Sequence, residues 1–396
     1  MQKKYDYLIV GAGIVGLSIG VELLKRDPSL RVLIAEKETT PARHASGRNS
    51  GVLHAGFYYS PDSLKARFCL EGNSALREII SESRLPINEC GKVVVATCEE
   101  DLPRLHELYR RGLANGAKLE LLEEDQLNDF EPLAKTYRQF IWSPLTAVSD
   151  PVLVSERIRE SYLKLGGELR TEAMIKIDLN YKVTLNGVSL SAVQIINAAG
   201  TNAIHLAHSV GVGKKYAQLP VLGLYKVTPR ANLPLKTLVY PVPNPKNPFL
   251  GVHFTLTVQG DIKIGPTAIP ILGREQYSWQ DLPEFLDLQS SIKALKSLMA
   301  NSPANLINLA RTELPKISTK VLSRDGKKLV PSANESISWN KKRPGIRAQL
   351  VNLEKGEFEM DFVVQKEHNI VHVLNAVSPG WTSAIPFAKW IVATYL

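Results

Sequence analysis

A glycine-rich turn between a strand and a helix constrains this chain more than any other feature. Residues 11–16 read Gly-Ala-Gly-Ile-Val-Gly and match the pattern G-x-G-x-x-G. An apolar run at residues 7–10 precedes the turn, a helical pattern follows it, and a second apolar run leads to Glu36. Pro28 ends the helix between them, because proline cannot extend a helix. This order predicts a βαβ unit, which is the context that a dinucleotide-binding fingerprint requires.

Each part of this unit has its own role in holding a dinucleotide. Gly11 permits the tight turn, Gly13 lets the backbone approach the pyrophosphate, and Gly16 lets the helix pack closely on the sheet. The first N–H groups of the helix face the phosphates. Glu36, 20 residues after Gly16, accepts hydrogen bonds from ribose hydroxyls and disfavours the 2′-phosphate of NADP. NAD and FAD share this fingerprint, so the choice between them depends on the rest of the chain.

The rest of the chain alternates between two kinds of pattern. With 396 residues and 44% hydrophobic content, it can bury more than one core, and its length favours two or three domains. α/β patterns occupy its beginning, middle and end, including a last helix expected at 379–395. We therefore expect a Rossmann-like FAD-binding or NAD-binding domain built from discontinuous segments, 1–85, 145–215 and 340–396. Segments 86–144 and 216–339 are expected to form a substrate-binding domain with a mostly antiparallel sheet and flanking helices, which gives an α/β and α+β fold.

Charge and cysteine content exclude several classes of function. Lys and Arg exceed Asp and Glu by 48 to 39, a formal charge of +9. The basic residues are scattered, which favours anionic ligands or an anionic membrane surface over nucleic acid. Cys69, Cys90 and Cys98 form no C-x-x-C pair, so neither a disulfide framework nor a metal site is expected. Reduced thiols, no signal-peptide pattern and no apolar stretch of about 18 residues favour a cytoplasmic protein, either free or at the inner surface of a membrane.

The segment after Glu36 carries a resemblance to a known family. Residues 43–59 read Arg-His-Ala-Ser-Gly-Arg-Asn-Ser-Gly-Val-Leu-His-Ala-Gly-Phe-Tyr-Tyr. This run resembles the flavin-flanking segment of the L-2-hydroxyglutarate oxidases and dehydrogenases, which belong to the larger family of D-amino-acid oxidase, glycine oxidase and glycerol-3-phosphate dehydrogenase. Further similar segments are 63–67, 90–92, 103–105, 251–255, 265–266, 345–349 and 375–376. The resemblance therefore spans nearly the whole chain.

The resemblance implies FAD as the cofactor and a small 2-hydroxy acid as the substrate. L-2-hydroxyglutarate would be oxidised to 2-oxoglutarate by hydride transfer to the flavin, with oxygen or a quinone as the electron acceptor. Residues 375–382 depart from the family, because Asn-Ala-Val-Ser-Pro-Gly-Trp-Thr stands where the hydroxyglutarate enzymes resemble Asn-Ala-Pro-Ser-Pro-Ala-Ala-Thr. Trp381 could narrow the flavin edge or the substrate pocket. Two alternatives stay open: an amine or amino-acid oxidase of the glycine oxidase type, and a dinucleotide-binding module without redox turnover.

The fingerprint and the resemblance together imply a set of cofactor contacts spread along the chain. The turn at 378–382 is expected to present the N-terminus of the last helix to the pyrimidine edge of the flavin, where negative charge accumulates on reduction. Ala199 and Gly200 end a predicted strand that the wider family shares. The full set is Gly11, Gly13, Ile14, Val15, Gly16, Glu36, Lys37, Arg43, Ser46, Asn49, Ser50, Gly51, Val52, Met174, Ala199, Gly200, Ser378, Pro379, Gly380, Trp381 and Thr382.

Oxidation of a 2-hydroxy acid also requires a base for the hydroxyl proton. The flavin accepts the hydride, and a neutral histidine can accept the proton near pH 7. Of the eight histidines, His54 and His253 lie in segments that resemble the family. His253 is expected to act as the base or as a substrate ligand, or else to be a hydrogen-bonded sheet residue. His54 is expected to polarise the flavin or the substrate, to attach the flavin covalently, or to cap a loop.

The substrate carboxylate requires cations. Arginine holds a carboxylate in a planar, two-bond geometry that lysine cannot imitate. The resemblance selects Arg48, Lys65 and Arg347 as candidates, with Tyr58 and Tyr59 as hydroxyl donors.

A basic helical stretch follows residue 282. Lys293, Lys296, Arg311, Lys316 and Lys320 alternate with apolar residues. Such a stretch can rest on an anionic membrane, which would suit electron delivery to a quinone, or it can be a solvated face over a core.

Overall fold

The computed structural model describes residues 4–244, 247, 249–334 and 336–396. Residues 1–3, with which the first predicted segment begins, lie outside this part of the chain. Its α-helices are α1 Ile14–Arg26, α2 Leu64–Glu82, α3 Leu102–Ala114, α4 Leu127–Phe130, α5 Pro151–Lys164, α6 Ala203–Ser209, α7 Phe285–Asn301, α8 Pro303–Glu313, α9 Thr319–Lys327 and α10 Ala384–Tyr395. Short 3-10 helices occupy Glu99–Asp101, Glu124–Gln126, Gly200–Asn202, Arg230–Asn232 and Leu314–Ile317.

The strands fall into two large sheets and several small ones. In chain order they are β1 Lys4–Val10, β2 Val32–Ala35, β3 Val52–Leu53, β4 Ile87–Asn88, β5 Lys92–Val95, β6 Glu120–Glu123, β7 Gln139–Ser143, β8 Ala147–Ser149, β9 Glu168–Arg170, β10 Ile175–Ile177, β11 Val183–Leu185, β12 Val188–Asn197, β13 Tyr216–Gln218, β14 Val221–Gly223, β15 Lys226–Pro229, β16 Leu238–Pro241, β17 His253–Leu256, β18 Asp261–Gly265, β19 Ile269–Pro270, β20 Asn340–Lys341, β21 Gly345–Arg347, β22 Leu350–Asn352, β23 Glu357–Phe358, β24 Val363–Glu367 and β25 Ile370–Asn375.

The first large sheet is parallel at its centre. Its order is β10-β11-β12-β1-β2-β9, and β25 followed by β24 joins it beside β12. β1 pairs in parallel with β2 and β12, β2 with β9, and β12 with β25. Apolar side chains of α1, α2, α5 and α10 cover one face and form the main core. Parallel strands bring their carboxyl ends to one edge of the sheet, so the glycine turn, Glu36, residues 198–200 and residues 376–382 follow strands that end at this edge.

The second large sheet is apolar on one face and carries both polar and apolar side chains on the other. Its order is β20-β15-β18-β17-β16-β5-β7-β6, with antiparallel pairs except between β5 and β16. Side chains alternate along each strand, and one face packs apolar residues such as Val93 and Phe254 against Leu322 of α9. The alternate positions of the central strands bear the apolar Val94 and Leu238 together with a polar group, and we call this side the polar face: Lys92, Tyr240, His253, Thr255 and Lys263.

The last helix begins later than the sequence pattern predicts. α10 starts at Ala384 and not at residue 379. A Cβ on Gly380 would lie 2.1 Å from the oxygen of Ala376. Residues 376–380 form a tight turn, and glycine at 380 permits this close approach. The helix begins only after Ser383.

We propose the division into a discontinuous nucleotide-binding domain and a substrate-binding domain on the basis of this sheet membership. All strands of the first sheet come from segments 1–85, 145–215 and 340–396. Four short strand pairs cross the proposed boundary, because β20 pairs with β15, β21 with β14, β22 with β13 and β4 with β8. In the described part of the chain, no helix combines the length and the apolar character that crossing a bilayer requires.

Candidate active site

Backbone contacts close the glycine turn and leave no room for side chains. Gly11 has a φ of +103°, and a Cβ there would lie 2.6 Å from the carbonyl oxygen of Ala198. A Cβ on Gly16 would lie 2.1 Å from the oxygen of Gly11. The turn therefore requires glycine at both positions, and it brings the end of β12 against the start of α1.

The N-terminus of α1 is suited to an anion. Gly13 is the N-cap and supplies no side-chain cap. The Ile14 N–H donates to the Ser46 hydroxyl over 2.9 Å. The N–H groups of Val15 and Gly16 also belong to the first helical turn, where N–H groups have no partner within the helix and carry the positive end of its dipole. A phosphate binds favourably at such an end.

Glu36 joins the end of β2 to the glycine turn. One carboxylate oxygen accepts from the Ala12 N–H (2.8 Å) and the other from the Glu38 N–H (2.9 Å). The carbonyl oxygen of Glu36 accepts from the Ala173 N–H (2.8 Å), which places Met174 beside the same strand end. The buried carboxylate therefore lies next to the phosphate-binding turn, as a ribose ligand must.

Two distant segments, 46–54 and 378–382, meet at the same edge. The Thr382 hydroxyl donates to the Val52 oxygen (3.1 Å) and accepts from the His54 N–H (3.3 Å). This one hydroxyl therefore ties the loop before α10 to the segment that carries His54.

Polar contacts shape the first of these segments from within. The Asn49 side chain donates to the Ser46 oxygen (2.8 Å) and accepts from the Gly51 N–H (2.8 Å). The Lys263 ammonium donates to the Ser50 oxygen (2.7 Å). These bonds hold the loop against the polar face of the second sheet.

The loop before α10 contains a buried donor without an acceptor. The Trp381 indole is buried in the main core, and its Nε1–H has no hydrogen-bond partner among the described residues. Unpaired buried donors are rare in folded proteins. Together with the open helix end and the glycine cradle, this donor fits a bound dinucleotide whose ring system reaches the 378–382 turn.

Three of the predicted cofactor residues lie at the rim of this edge. The Lys37 ammonium forms ion pairs with Glu38 (2.6 Å) and Glu275 (2.7 Å). The Arg43 side chain is half exposed and lies 4.0 Å from Glu38, and the Met174 side chain is also half exposed. These side chains can cover a ligand but do not line its bed.

Both predicted catalytic histidines belong to a cluster beside the polar face of the second sheet. The His253 ring stacks on the Tyr240 ring, with 3.8 Å between centroids. Its Nδ1 lies 2.8 Å from the Gly251 oxygen. Because a carbonyl can only accept, Nδ1 carries the proton and Nε2 keeps its lone pair.

Burial keeps both imidazoles neutral. The pKa of His253 is lowered to about 3, chiefly by burial and also by the charges of Lys92, Arg347 and Lys263, against the opposing effect of the Gly251 hydrogen bond. Burial also lowers the pKa of His54 to about 3, with contributions from Lys92, His253 and Arg347. A neutral imidazole can accept a proton, so each ring is chemically competent as a base.

Three of the predicted substrate residues, Tyr59, Lys65 and Arg347, lie in one group. Tyr59 feels the charge of Arg347 and lies within hydrogen-bonding reach of the Ser378 side chain. Lys65 is buried near the rings of Tyr59 and Phe362, and burial followed by repulsion from Arg347 lowers its pKa to about 8. Arg347 and Lys65 therefore face the same region as Tyr59.

Arg48 does not join this cluster. Its guanidinium lies over the Tyr277 ring, 4.0 Å from the centroid, and donates to the oxygens of Arg43 (2.7 Å) and Pro344 (3.4 Å). These contacts favour a packing role, so Arg347 and Lys65 remain the carboxylate candidates.

The structure adds buried polar residues that the sequence did not single out. Lys92 and Lys263 lie beside the histidines, and Tyr240 supports the His253 ring. A signal was present, because each lysine interrupts an apolar strand, as in Gly-Lys-Val-Val-Val at 91–95. Only the strand pairing reveals that these positions share a face with His253.

A family model described as FAD dependent oxidoreductase matches residues 6–394. L-2-hydroxyglutarate dehydrogenase of Caenorhabditis briggsae, a mitochondrial protein, is 34% identical, with 98% of this chain and 93% of that protein covered. L-2-hydroxyglutarate dehydrogenase of Escherichia coli K12 is 32% identical, with 98% and 92% covered. The similarity therefore extends over both large sheets.

Solved structures share the fold. L-α-glycerophosphate oxidase from Mycoplasma pneumoniae with FAD bound superimposes with a TM-score of 0.77 at 23% identity, over 98% of this chain and 94% of that chain. Glycine oxidase from Geobacillus kaustophilus superimposes with a TM-score of 0.71 at 19% identity, over 99% and 94%.

We expect Gly11→Ala to lower FAD affinity by at least about tenfold, because the new Cβ must push the Ala198 carbonyl out of the cradle and sit at an unfavourable φ, a strain of about 1–3 kcal/mol. Gly166→Ala is the matched control, since Gly166 also has a positive φ (+91°) but no atom within 4 Å of the point where a Cβ would lie. Flavin absorbance per polypeptide, titrated with added FAD, measures the effect. Equal FAD affinity in the two variants would contradict the cradle.

Proposed function

This chain belongs to the FAD-dependent oxidoreductase family, and we propose that it oxidises L-2-hydroxyglutarate to 2-oxoglutarate. FAD is its cofactor. The proposal is supported by relatives named L-2-hydroxyglutarate dehydrogenase that align with nearly the whole chain. The observation that carries the chemistry is the buried His253, whose Nδ1–H is bound to a carbonyl and whose Nε2 is unprotonated.

We propose that segments at one edge of the first sheet together bind FAD. We propose that the glycine turn and the start of α1 bind the pyrophosphate, that Glu36 binds the ribose, and that segments 46–52 and 378–382 flank the ring system. When bound, the isoalloxazine supplies the hydride acceptor. We propose that Ala199 and Gly200 also contact FAD, because they follow β12 at the same sheet edge as Gly11.

We propose His253 as the base. The Gly251 carbonyl fixes the tautomer, and the stacked Tyr240 fixes the plane of the ring. Nε2 can therefore accept the hydroxyl proton of the substrate without first losing one of its own. We assign His54, which is held by Thr382, to the opposite side of the reacting carbon, where it polarises the substrate.

We propose that Arg347 binds the carboxylate next to the reacting carbon. Tyr59 lies in the same group and can donate its hydroxyl proton to that carboxylate, and Lys65 adds a second positive charge. Charge-assisted bonds of this kind fix the orientation of the substrate as well as its affinity.

We further propose that the protein is cytoplasmic and rests on an anionic membrane surface, where a quinone can accept its electrons. Trp279, Leu282 and Phe285 are 60%, 90% and 71% exposed just before and at the start of α7. Four exposed basic residues follow on the same helical stretch: Lys293, Lys296, Arg311 and Lys320.

Lys316, which the sequence placed in this basic stretch, is instead buried and paired with Glu313 (2.6 Å), because the two residues are neighbours on one helical turn. Free thiols at all three cysteines support the cytoplasm.

The substrate proposal is tested by anaerobic addition of L-2-hydroxyglutarate to the FAD-bound protein. We expect the flavin absorbance to bleach, and we expect glycine and D-amino acids to leave it unchanged. Bleaching by an amine alone would indicate an oxidase of the glycine oxidase type, and bleaching by neither would indicate a binding module. Rapid return of colour with oxygen would contradict the quinone as acceptor.

We expect His253→Gln to lower kcat by about 10²- to 10⁴-fold, because proton transfer loses its acceptor, with little change in FAD content. Since its folded pKa lies far below the ordinary value of about 6.5, the wild-type base stays neutral and kcat should not fall between pH 7 and about pH 6. His106→Gln, at an exposed position, is the control. If His54→Gln loses kcat and His253→Gln does not, the base is His54.

Membrane contact is tested by co-sedimentation with vesicles of phosphatidylcholine, with or without phosphatidylserine. We expect the protein to sediment only with the anionic vesicles and the double variant Leu282→Ser/Phe285→Ser to lose this binding, because the apolar side chains insert between headgroups. Leu179→Ser, at an exposed site elsewhere (73%), is the control. A wild-type protein that stays in the supernatant at low salt would contradict the proposal.

A further inference from the structure

Lys92 is a fully buried lysine whose side chain forms no ion pair in the described part of the chain. It lies at the start of β5 with no exposed surface, and its Nζ has no hydrogen-bond partner among the described residues. Three aromatic rings surround the Nζ, with centroids at 4.3 Å for Phe57, 4.5 Å for Tyr58 and 4.8 Å for Tyr240. Aromatic faces attract a cation, but they do not replace the hydrogen bonds that three ammonium protons require. Burial of such a group is strongly unfavourable unless a ligand completes it.

Other unpaired polar atoms lie around this lysine. The Tyr58 hydroxyl and the His54 Nδ1 are also buried without a hydrogen-bond partner in the described part of the chain. The Tyr58 ring is in contact with Lys92, and the charge of Lys92 acts on both His54 and His253. A cation and a hydroxyl donor without internal acceptors form half of a carboxylate site.

Arg347 is a second cation in this cluster. Arg347 also acts on His54 and His253, and it is grouped with Tyr59, which reaches Ser378 of the loop that we assign to the flavin. We therefore assign Arg347 to the part of the cluster nearest the proposed flavin site, and Lys92 to the group formed by Phe57, Tyr58 and Tyr240.

We propose that Lys92, together with the Tyr58 hydroxyl, binds the second carboxylate of a dicarboxylic substrate while Arg347 binds the first. This inference rests on the proposed function and deepens it, because it explains why a 2-hydroxy acid with a distal carboxylate would be preferred over a 2-hydroxy acid with an apolar chain. Lys92 thereby determines specificity and takes no part in the proton or hydride transfer.

The charge state of Lys92 supports this role. Burial lowers the pKa of Lys92 to about 7, against smaller opposing effects of Cys69 and Cys90. A bound carboxylate favours the ammonium and raises this pKa again. Above pH 7 the free protein must therefore take up a proton on binding, so dicarboxylate affinity should fall as the pH rises. The titratable groups that face the Lys92 ammonium are Tyr58, Tyr240, His54, His253, Cys69 and Cys90.

Two unreactive acids test the inference on the FAD-bound protein. Calorimetry at pH 6.5 compares glutarate, which has two carboxylates, with butyrate, which has one. We expect the wild type to bind glutarate more tightly than butyrate, and we expect Lys92→Met to lose about 10- to 100-fold in glutarate affinity with little change for butyrate. The wild-type Kd for glutarate should rise up to tenfold between pH 7 and pH 8, while the Lys92→Met value stays flat.

Thermal unfolding separates this role from a structural one. Without ligand, Lys92→Met should keep or raise Tm, because an apolar side chain replaces an unpaired buried charge, and glutarate should no longer raise it. The proposal would be overturned if Lys92→Met lowers Tm and loses affinity equally for glutarate and butyrate. It would also be overturned if Lys92→Met binds glutarate as tightly as the wild type does. If the wild-type flavin is not bleached by L-2-hydroxyglutarate, the proposed substrate fails, while a glutarate preference that depends on Lys92 would still stand.

Discussion

The contact between the glycine turn and the end of β12 determines where every other part of the site can lie. Gly11 and Ala198 approach so closely that β1 and β12 end at a common level, and Glu36 closes the same edge from β2. The parallel sheet then delivers residues 376–382 from β25 to this edge. The Thr382 hydroxyl sets the distance between the loop before α10 and the segment of His54. The cradle and the reacting residues are thus parts of one backbone framework.

Local patterns in the sequence predict the βαβ unit that contains the glycine turn, because each of its parts has a short-range signature. The glycine spacing, the flanking strands and Glu36 lie within one βαβ unit. The catalytic cluster is different, because it combines residues from β5, β16, β17 and β21, and no periodicity specifies how those strands pair. Resemblance selected His54, His253, Tyr59 and Arg347, whereas the partners of Lys92 became visible only with the register of β5 and β16. The Arg48–Tyr277 contact was not predictable for the same reason, since the two residues lie far apart in the chain.

Several buried basic groups determine the electrostatics of the cluster. Burial and the charges of Arg347 and Lys92 keep His54 and His253 neutral, whereas acidic residues such as Asp361 and Asp150 act on Lys65 and Lys263. Such an arrangement is unfavourable for the unliganded protein and favourable for an anionic ligand. Affinity for the substrate and a cost in stability therefore have the same origin, and they are expected to change together in variants of these residues.

The two-faced second sheet has a consequence for how this protein can diverge. His253 and Phe254 are consecutive, as are Lys92 and Val93, and each pair sends one side chain to the reacting space and the other to the core. A one-residue insertion in β5 or β17 would exchange the members of a pair and put an aromatic or aliphatic group where a base or a cation is needed. The lengths of β5 and β17 are therefore constrained together with the identities of these residues. New substrate preferences must come from substitutions that keep the strand register or from changes in the loops that border the sheet.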